Sequence, residues 1–221
     1  MAKAKSVRRP RLPEITLPGT RPWSGPELEA EGDYDGLLLQ DADLTGQEGR
    51  GAHFLDCLLR RCVLDEARLK RVRLADTVLE DIRGVGTDLS EGRLRDVEIT
   101  DARLGGVQLS GAELNRVLIR GGKIDWLNLR QSRLTDVTFF GCVLIEPDFG
   151  GARLERVSFD DCELKGVELS NATLRDVDLR GVAGLEVARG VDRLSGAVIT
   201  PSQLLDLAPL FAAHLGVRVE P

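Results

Sequence analysis

From Leu39 to Leu179 every fifth residue is Leu, Ile or Phe, with Gly49 and Gly84 the sole departures among 29 positions, and the register never slips. The residue two places earlier forms a second series, Leu37, Ala42, Gln47, Ala52, Cys57, Cys62, Ala67, Val72 and on to Ala172 and Val177, which is small or apolar almost throughout. No charged residue occupies either series, although charged residues make up 30% of the chain. Two inward and three outward positions in every five fit neither the 3.6-residue period of a helix nor the 2.0 period of a flat strand. A backbone that turns a corner every five residues satisfies the pattern.

Segments such as ADLTG (42–46), ARLGG (102–106), AELNR (112–116) and ATLRD (172–176) carry this register. They resemble the consensus A-(D/N)-L-x-x of the pentapeptide-repeat family, over residues 37–181. The resemblance implies an all-β fold, a right-handed quadrilateral β-helix with four pentapeptides per coil. An independent sign of an even number of faces lies in the second series, where small and large residues alternate from Ala102 onward. The column Val97, Val117, Val137, Val157, Val177 then repeats every twenty residues, as four faces require. The 29 repeats predict about seven coils and, at ~4.8 Å per coil, a rod roughly 35 Å long. Each buried Leu or Phe contributes on the order of 1.5–3 kcal/mol.

The register places the cysteines. The stretch HFLDCLLRRC (53–62) offers His53, Cys57 and Cys62 as ligands of types that zinc accepts. Both cysteines, however, hold the inward position two before a centre, and His53 holds an outward one, so the three cannot converge. Cys142 and Cys162 share that inward position one coil apart. Parallel side-chain vectors there predict free thiols rather than a disulfide. No metal, cofactor or catalytic residue is expected, and no nucleophile-elbow, P-loop or zincin motif is present.

The ends differ from the body, and three regions are expected: a proline-rich basic arm (1–30), the β-helix (31–181), and a terminal coil with a helix (182–221). The arm holds five of the nine prolines, which lack the donor a strand ladder needs, and should not start the solenoid. It is either disordered or extended along one face. After Gly181 the register weakens, and TPSQLLDLAPLFAAHLG (200–216) reads as a short C-terminal α-helical cap. Thr200 is the expected N-cap, Pro201 the first helical residue, Gln203 the partner in a capping box and Gly216 the stop. Pro209 should kink or split the helix. Leu204, Leu207, Phe211 and Leu215 can share an apolar face with Ala208, as a cap over the last coil or as a homodimer contact. Family members resembling this chain often dimerise through such a helix.

The formal charge is −6. Such a balance argues against direct nucleic-acid binding, which needs clustered Lys and Arg. No apolar run is long enough to cross a membrane or serve as a signal peptide, and a soluble cytoplasmic protein is expected. Charge is uneven around the rod. The face centred on Leu59, Leu79 and Ile99 carries acids at 41, 80, 81, 98, 101, 160, 161 and 178 against bases at 60, 61, 120 and 180. Glu80, Asp81, Glu98 and Asp101 form one candidate partner-binding cluster; Asp160, Asp161 and Asp178 form a second. Outward Leu58, Val78, Leu118 and Phe140 on the same face suit a partner or the chain's own arm. The family resemblance implies a non-catalytic protein, of a kind that includes DNA mimics binding DNA gyrase and conferring resistance to topoisomerase poisons. A fourth face bearing Arg73, Arg93, Arg95, Arg133, Arg153 and Arg175 is not needed for DNA mimicry and leaves open an interaction module with an unrelated partner.

Overall fold

The computed structural model describes residues 7–220; the arm's first six residues lie outside that range. The chain is a parallel β-solenoid followed by one helix. Strand partners in the body differ by twenty residues, as in Leu38↔Leu58, Leu58↔Val78, Val78↔Glu98 and Leu114↔Leu134. Four faces result. Two belong to a twelve-stranded sheet and one to a six-stranded sheet. The fourth is a row of bridges, Glu48↔Arg68↔Asp88↔Gln108↔Asn128↔Asp148↔Glu168.

The corners have a simple chemical basis. The residue two after each centre from Leu39 to Leu174 has positive φ, as at Asp41 (54°), Asp56 (52°), Arg61 (51°) and Gly86 (70°). Left-handed backbone is costly for most L-residues and cheapest for Gly and short polar residues such as Asp. The frequent Asp and Gly at these positions therefore bend the chain between faces. Centres and small residues meet inside, where Leu39, Leu44, Cys57, Cys62, Ala67 and Val72 are fully buried.

The rod is longer than the about seven coils predicted. One column has nine rungs, at 38, 58, 78, 98, 118, 138, 158, 178 and 198. The repeat count missed the N-terminal strand Asp33–Asp35, with Tyr34 stacked on Phe54, and the last coil. That coil was obscured because Cys162 pairs with Val182 but Glu163 with Gly184, so one extra residue enters after Val182 and shifts the pattern.

Gly49 and Gly84 keep the register. Gly84 pairs in register with Leu104. At Gly49 a Cβ would lie 2.6 Å from Leu69 Cδ2 and 3.3 Å from Leu28 Cδ1, so a side chain from outside the repeat fills the missing volume. Leu28 is 6% exposed and its N–H donates to Gln47 Oε1 at 2.8 Å, which gives the polar Gln47 an inward role. The proline-rich stretch also adds an edge strand: Arg21 and Pro22 pair with Leu37 and Leu38. Proline is tolerated there because an edge leaves one side of the strand without partners. Residues 21–28 thus cap the first coil.

The helix spans Pro201–Leu215, with the Thr200/Gln203 capping box and Gly216 as C-cap. Of the two outcomes expected at Pro209, the split does not occur: the helix is continuous through it. Proline removes one backbone donor, and the other turns carry the helix. The expected apolar face also divides. Leu207 is buried and Phe211 packs on the core, whereas Leu204 (51%) and Leu215 (73%) are exposed. The inner stripe is Gln203, Leu207, Phe211, one helical step of four apart, and hydropathy alone does not find its first member. Gln203 Nε2 donates to the carbonyls of Leu179 (2.8 Å) and Val182 (3.1 Å), closing the last coil. Gln203→Ala removes both bonds, leaving the Leu179 carbonyl with the Val182 N–H alone and the Val182 carbonyl without the amide, and is expected to cost about 1–3 kcal/mol in a urea melt. A loss below ~0.5 kcal/mol would show that water replaces the amide. Among the described residues no helix is long and apolar enough to span a membrane.

Candidate functional site

His53 is half-exposed with Nδ1 3.3 Å from Asp33, while Cys57 and Cys62 are buried with their thiols pushed up by burial. Ring and thiols lie on opposite sides of the backbone. All four cysteines are free, and the Cys142 N–H points to Cys162 Sγ at 3.4 Å.

The first acidic cluster spans two coils. Asp81 and Asp101 occupy the same corner on successive rungs, their N–H groups bonded to the Thr100 and Arg120 carbonyls at 2.9 Å. Glu80 and Glu98 lie on the adjoining face, where Glu98 sits between Val78 and Leu118. Arg60 Nε meets Glu80 at 2.6 Å, and Arg83 reaches Asp81 at 3.8 Å. These half-exposed pairs are worth little singly.

The second cluster is differently placed. Asp178 is paired with Arg180 at 2.6 Å, which together with the more distant Arg9 charge holds its carboxyl below the usual range. Asp160 accepts from Ser158 Oγ at 3.0 Å. Asp160, Asp161 and Asp178 border a groove of about 520 Å³ whose other wall is the arm, at Val7, Arg8, Arg9, Pro10 and Leu12. The arm is therefore extended along a face, one of the two alternatives left open by its sequence. Leu118, outward by register, is only 6% exposed where it meets this groove.

The most tightly bonded carboxylate was assigned to neither cluster. Asp136, at a corner, has a fully buried side chain. Arg156 donates to it through Nε at 2.7 Å and through its terminal nitrogen at 3.1 Å. Arg11 donates through its backbone N–H (3.2 Å), Nε (3.1 Å) and a terminal nitrogen (2.8 Å). Burial alone would push this carboxyl up; the bonds from Arg156 and Arg11 outweigh it and draw the pKa down to about 2. Two coils on, Asp176 accepts from Arg8 Nε at 2.8 Å. From Asp56 to Asp176 the corner column reads Asp56, Asp76, Asp96, Arg116, Asp136, Arg156, Asp176. Burial, then Asp96 and Asp56, push the Asp76 carboxyl up. The clue available in sequence was that column set beside Arg8 and Arg11.

At the other end, Leu204, Leu205, Leu210 and Leu215 are exposed on the helix and Val217 and Val219 beyond it. Among the described residues no group of three or more His, Cys, Asp or Glu is placed to hold a metal ion.

No curated protein is similar enough to this chain to match it. Several solved structures match this chain. One is trypsin-treated QnrB1, a plasmid-mediated fluoroquinolone resistance protein, 19% identical with a TM-score of 0.38 over 86% of this chain and 100% of that one. Another is HetL, a pentapeptide repeat protein involved in heterocyst differentiation regulation, from the cyanobacterium Nostoc. It is 21% identical, with a TM-score of 0.25 over 79% of this chain and 92% of that one. The family model described as a pentapeptide repeat region matches residues 52–129 and 132–187, more than half of the chain. With that match lying on a body of twenty-residue, four-faced coils, the chain belongs to the pentapeptide-repeat family.

Proposed function

We propose that the protein is a non-catalytic binding module whose acidic face receives a basic surface of a protein partner, and that this partner is DNA gyrase. The observation that carries the first half is the stacking of Asp81 on Asp101 with Glu80 and Glu98 beside them. Like charges stacked in a sheet cost a few tenths to ~1 kcal/mol per pair, so a retained stack is more intelligible where a cation is bound. Gyrase is the partner to which the resemblance to DNA-mimicking members of the family points. The exposed leucines of the C-terminal helix support a homodimer, which would lengthen such a mimic.

A second reading, an unrelated protein partner, is favoured by the opposite charge elsewhere. Arg73 stacks on Arg93, and Arg133 on Arg153, in one ladder. Such a ladder has no place on a surface imitating DNA all round.

A supercoiling assay with purified gyrase distinguishes them. The protein should inhibit supercoiling or protect gyrase from a quinolone, and Asp81→Lys with Asp101→Lys should reduce that effect at least tenfold. Both positions have positive φ, as do Arg61 and Arg71 at equivalent corners, so long basic side chains fit this backbone. The absence of both inhibition and protection would sink the gyrase reading. Equal activity of the double variant would remove the first cluster from the site.

A further inference from the structure

The arm and the acidic corner match in spacing as well as in charge. Arg8 and Arg11 are three residues apart, which in extended chain spans roughly 10 Å. Asp176 and Asp136, their partners, are two coils apart, roughly 9.6 Å at the usual strand spacing. The arm thus runs along the rod axis, across the strands, and meets the carboxylates that alternate with Arg116 and Arg156 on that corner. Each contact is doubled, because the backbone N–H of Arg8 and of Arg11 also donates to its aspartate, at 3.4 and 3.2 Å. Farther down, Pro13, Ile15 and Leu17 are half-buried while Glu14, Thr16 and Pro18 are exposed, the alternation of an extended segment lying on a surface.

The docking is nevertheless built to open. Arg8 and Arg11 are 55% and 68% exposed. Leu12 is 54% exposed, and the 520 Å³ groove separates residues 7–12 from the second acidic cluster. Charge holds this segment more than packing does, and exposed ion pairs are weak and salt-sensitive. Departure of Arg11 does not orphan the buried Asp136, which keeps both bonds from Arg156. The far end of the arm stays fixed by the Arg21–Pro22 strand and by Leu28 in the core.

We propose that residues 7–12 are a releasable intramolecular ligand of Asp136 and Asp176, beside the second acidic cluster, and that an extended arginine-rich segment of a protein partner takes the same corner and groove once the arm has left. The consequence for partner binding rests on the acidic-face reading above; the strap itself does not. Asp136 and Asp176 are then occupied at rest while Asp160 and Asp161 stay exposed, and the arm sets the threshold for binding along this corner.

The test uses full-length protein carrying Arg8→Glu and Arg11→Glu, which sets negative charge against Asp176 and Asp136 without touching the solenoid. In hydrogen exchange, amides of residues 7–12 should exchange at least tenfold faster in the variant than in the unaltered protein at 50 mM NaCl. A labelled peptide VRRPRLP, the sequence of residues 7–13, should bind the variant at least tenfold more tightly than the unaltered protein, and 0.5 M NaCl should weaken that binding at least tenfold. Equal exchange overturns the strap, and so does peptide binding no tighter to the variant, including none to either. Should the variant melt below the unaltered protein, the same exchange comparison on unaltered protein between 50 mM and 1 M NaCl decides, with no acceleration counting against the strap. Gyrase inhibition separates the two readings: release and peptide capture without any gyrase effect would leave the strap standing and remove gyrase as the partner.

Discussion

Phe159→Ala is expected to lower the unfolding free energy by about 3–5 kcal/mol, the range for removing a buried aromatic side chain. Phe159 is a centre residue, 2% exposed. Its ring stacks on Phe139 one coil below, centroids 4.8 Å apart and planes within 4°, and meets Phe149 edge-on at 6.2 Å. Alanine leaves both partners facing a void. In most cores part of that cost is recovered when neighbours move in. Here the Phe139↔Phe159 ladder sets the height of each coil, and on either side Val137 pairs with Val157 and Phe140 with Asp160. The walls therefore cannot collapse, which places the cost toward the upper end. Urea denaturation of the variant against Phe159→Leu checks this, since leucine fills most centres and should lose far less. A loss under ~1 kcal/mol for alanine would mean that the coils close over the cavity and that the ladder is softer than its pairing implies.

That stack was legible from the five-residue register, because position 159 is a centre and position 139 is a centre one coil earlier. The same reasoning placed Cys57 and Cys62 inside and His53 outside. What escaped it depends on contacts between parts of the chain with different periods. Gly49 departs from the repeat, yet its volume is supplied by Leu28, from a stretch that has no repeat. Gln203 looked like a capping-box residue, and it is one, but its amide also satisfies two carbonyls of the last coil. That the arm borders the second acidic cluster was not readable from a charge count by faces, which does not say where an arm lies. Asp136 was hidden for a related reason: a corner aspartate is explained well enough by its positive φ, which conceals a second role.

That second role makes Asp136→Ala the other large effect, about 3–5 kcal/mol, as for removal of one partner from a buried ion pair. The variant leaves Arg156, whose side chain is 17% exposed, with Glu155 as its remaining partner. Arg11→Ala should cost no more than ~1 kcal/mol, because Arg11 is largely exposed and Asp136 keeps its bonds to Arg156. The large difference between the two ends of one contact is what a strap on an independently stable body requires. Comparable losses would mean that the arm is part of the fold. The same carboxylate fixes a pH dependence. The groups facing it are Arg156 from its own corner column, Arg11 from the arm and, farther off, Arg116, all guanidinium groups. Its pKa is about 2 in the folded chain and ~3.9 when unfolded, so the folded state binds the proton less readily. The resulting stabilisation, on the order of 2 kcal/mol, is fully present above the unfolded value and is lost as pH falls from about 5 toward 2. Urea midpoints at pH 6 and pH 3 should therefore converge for unaltered protein and Asp136→Asn as pH falls, since asparagine has already lost the charge. A gap as wide at pH 3 as at pH 6 would assign the stability of this corner to shape and hydrogen bonding, with the charge of Asp136 contributing nothing.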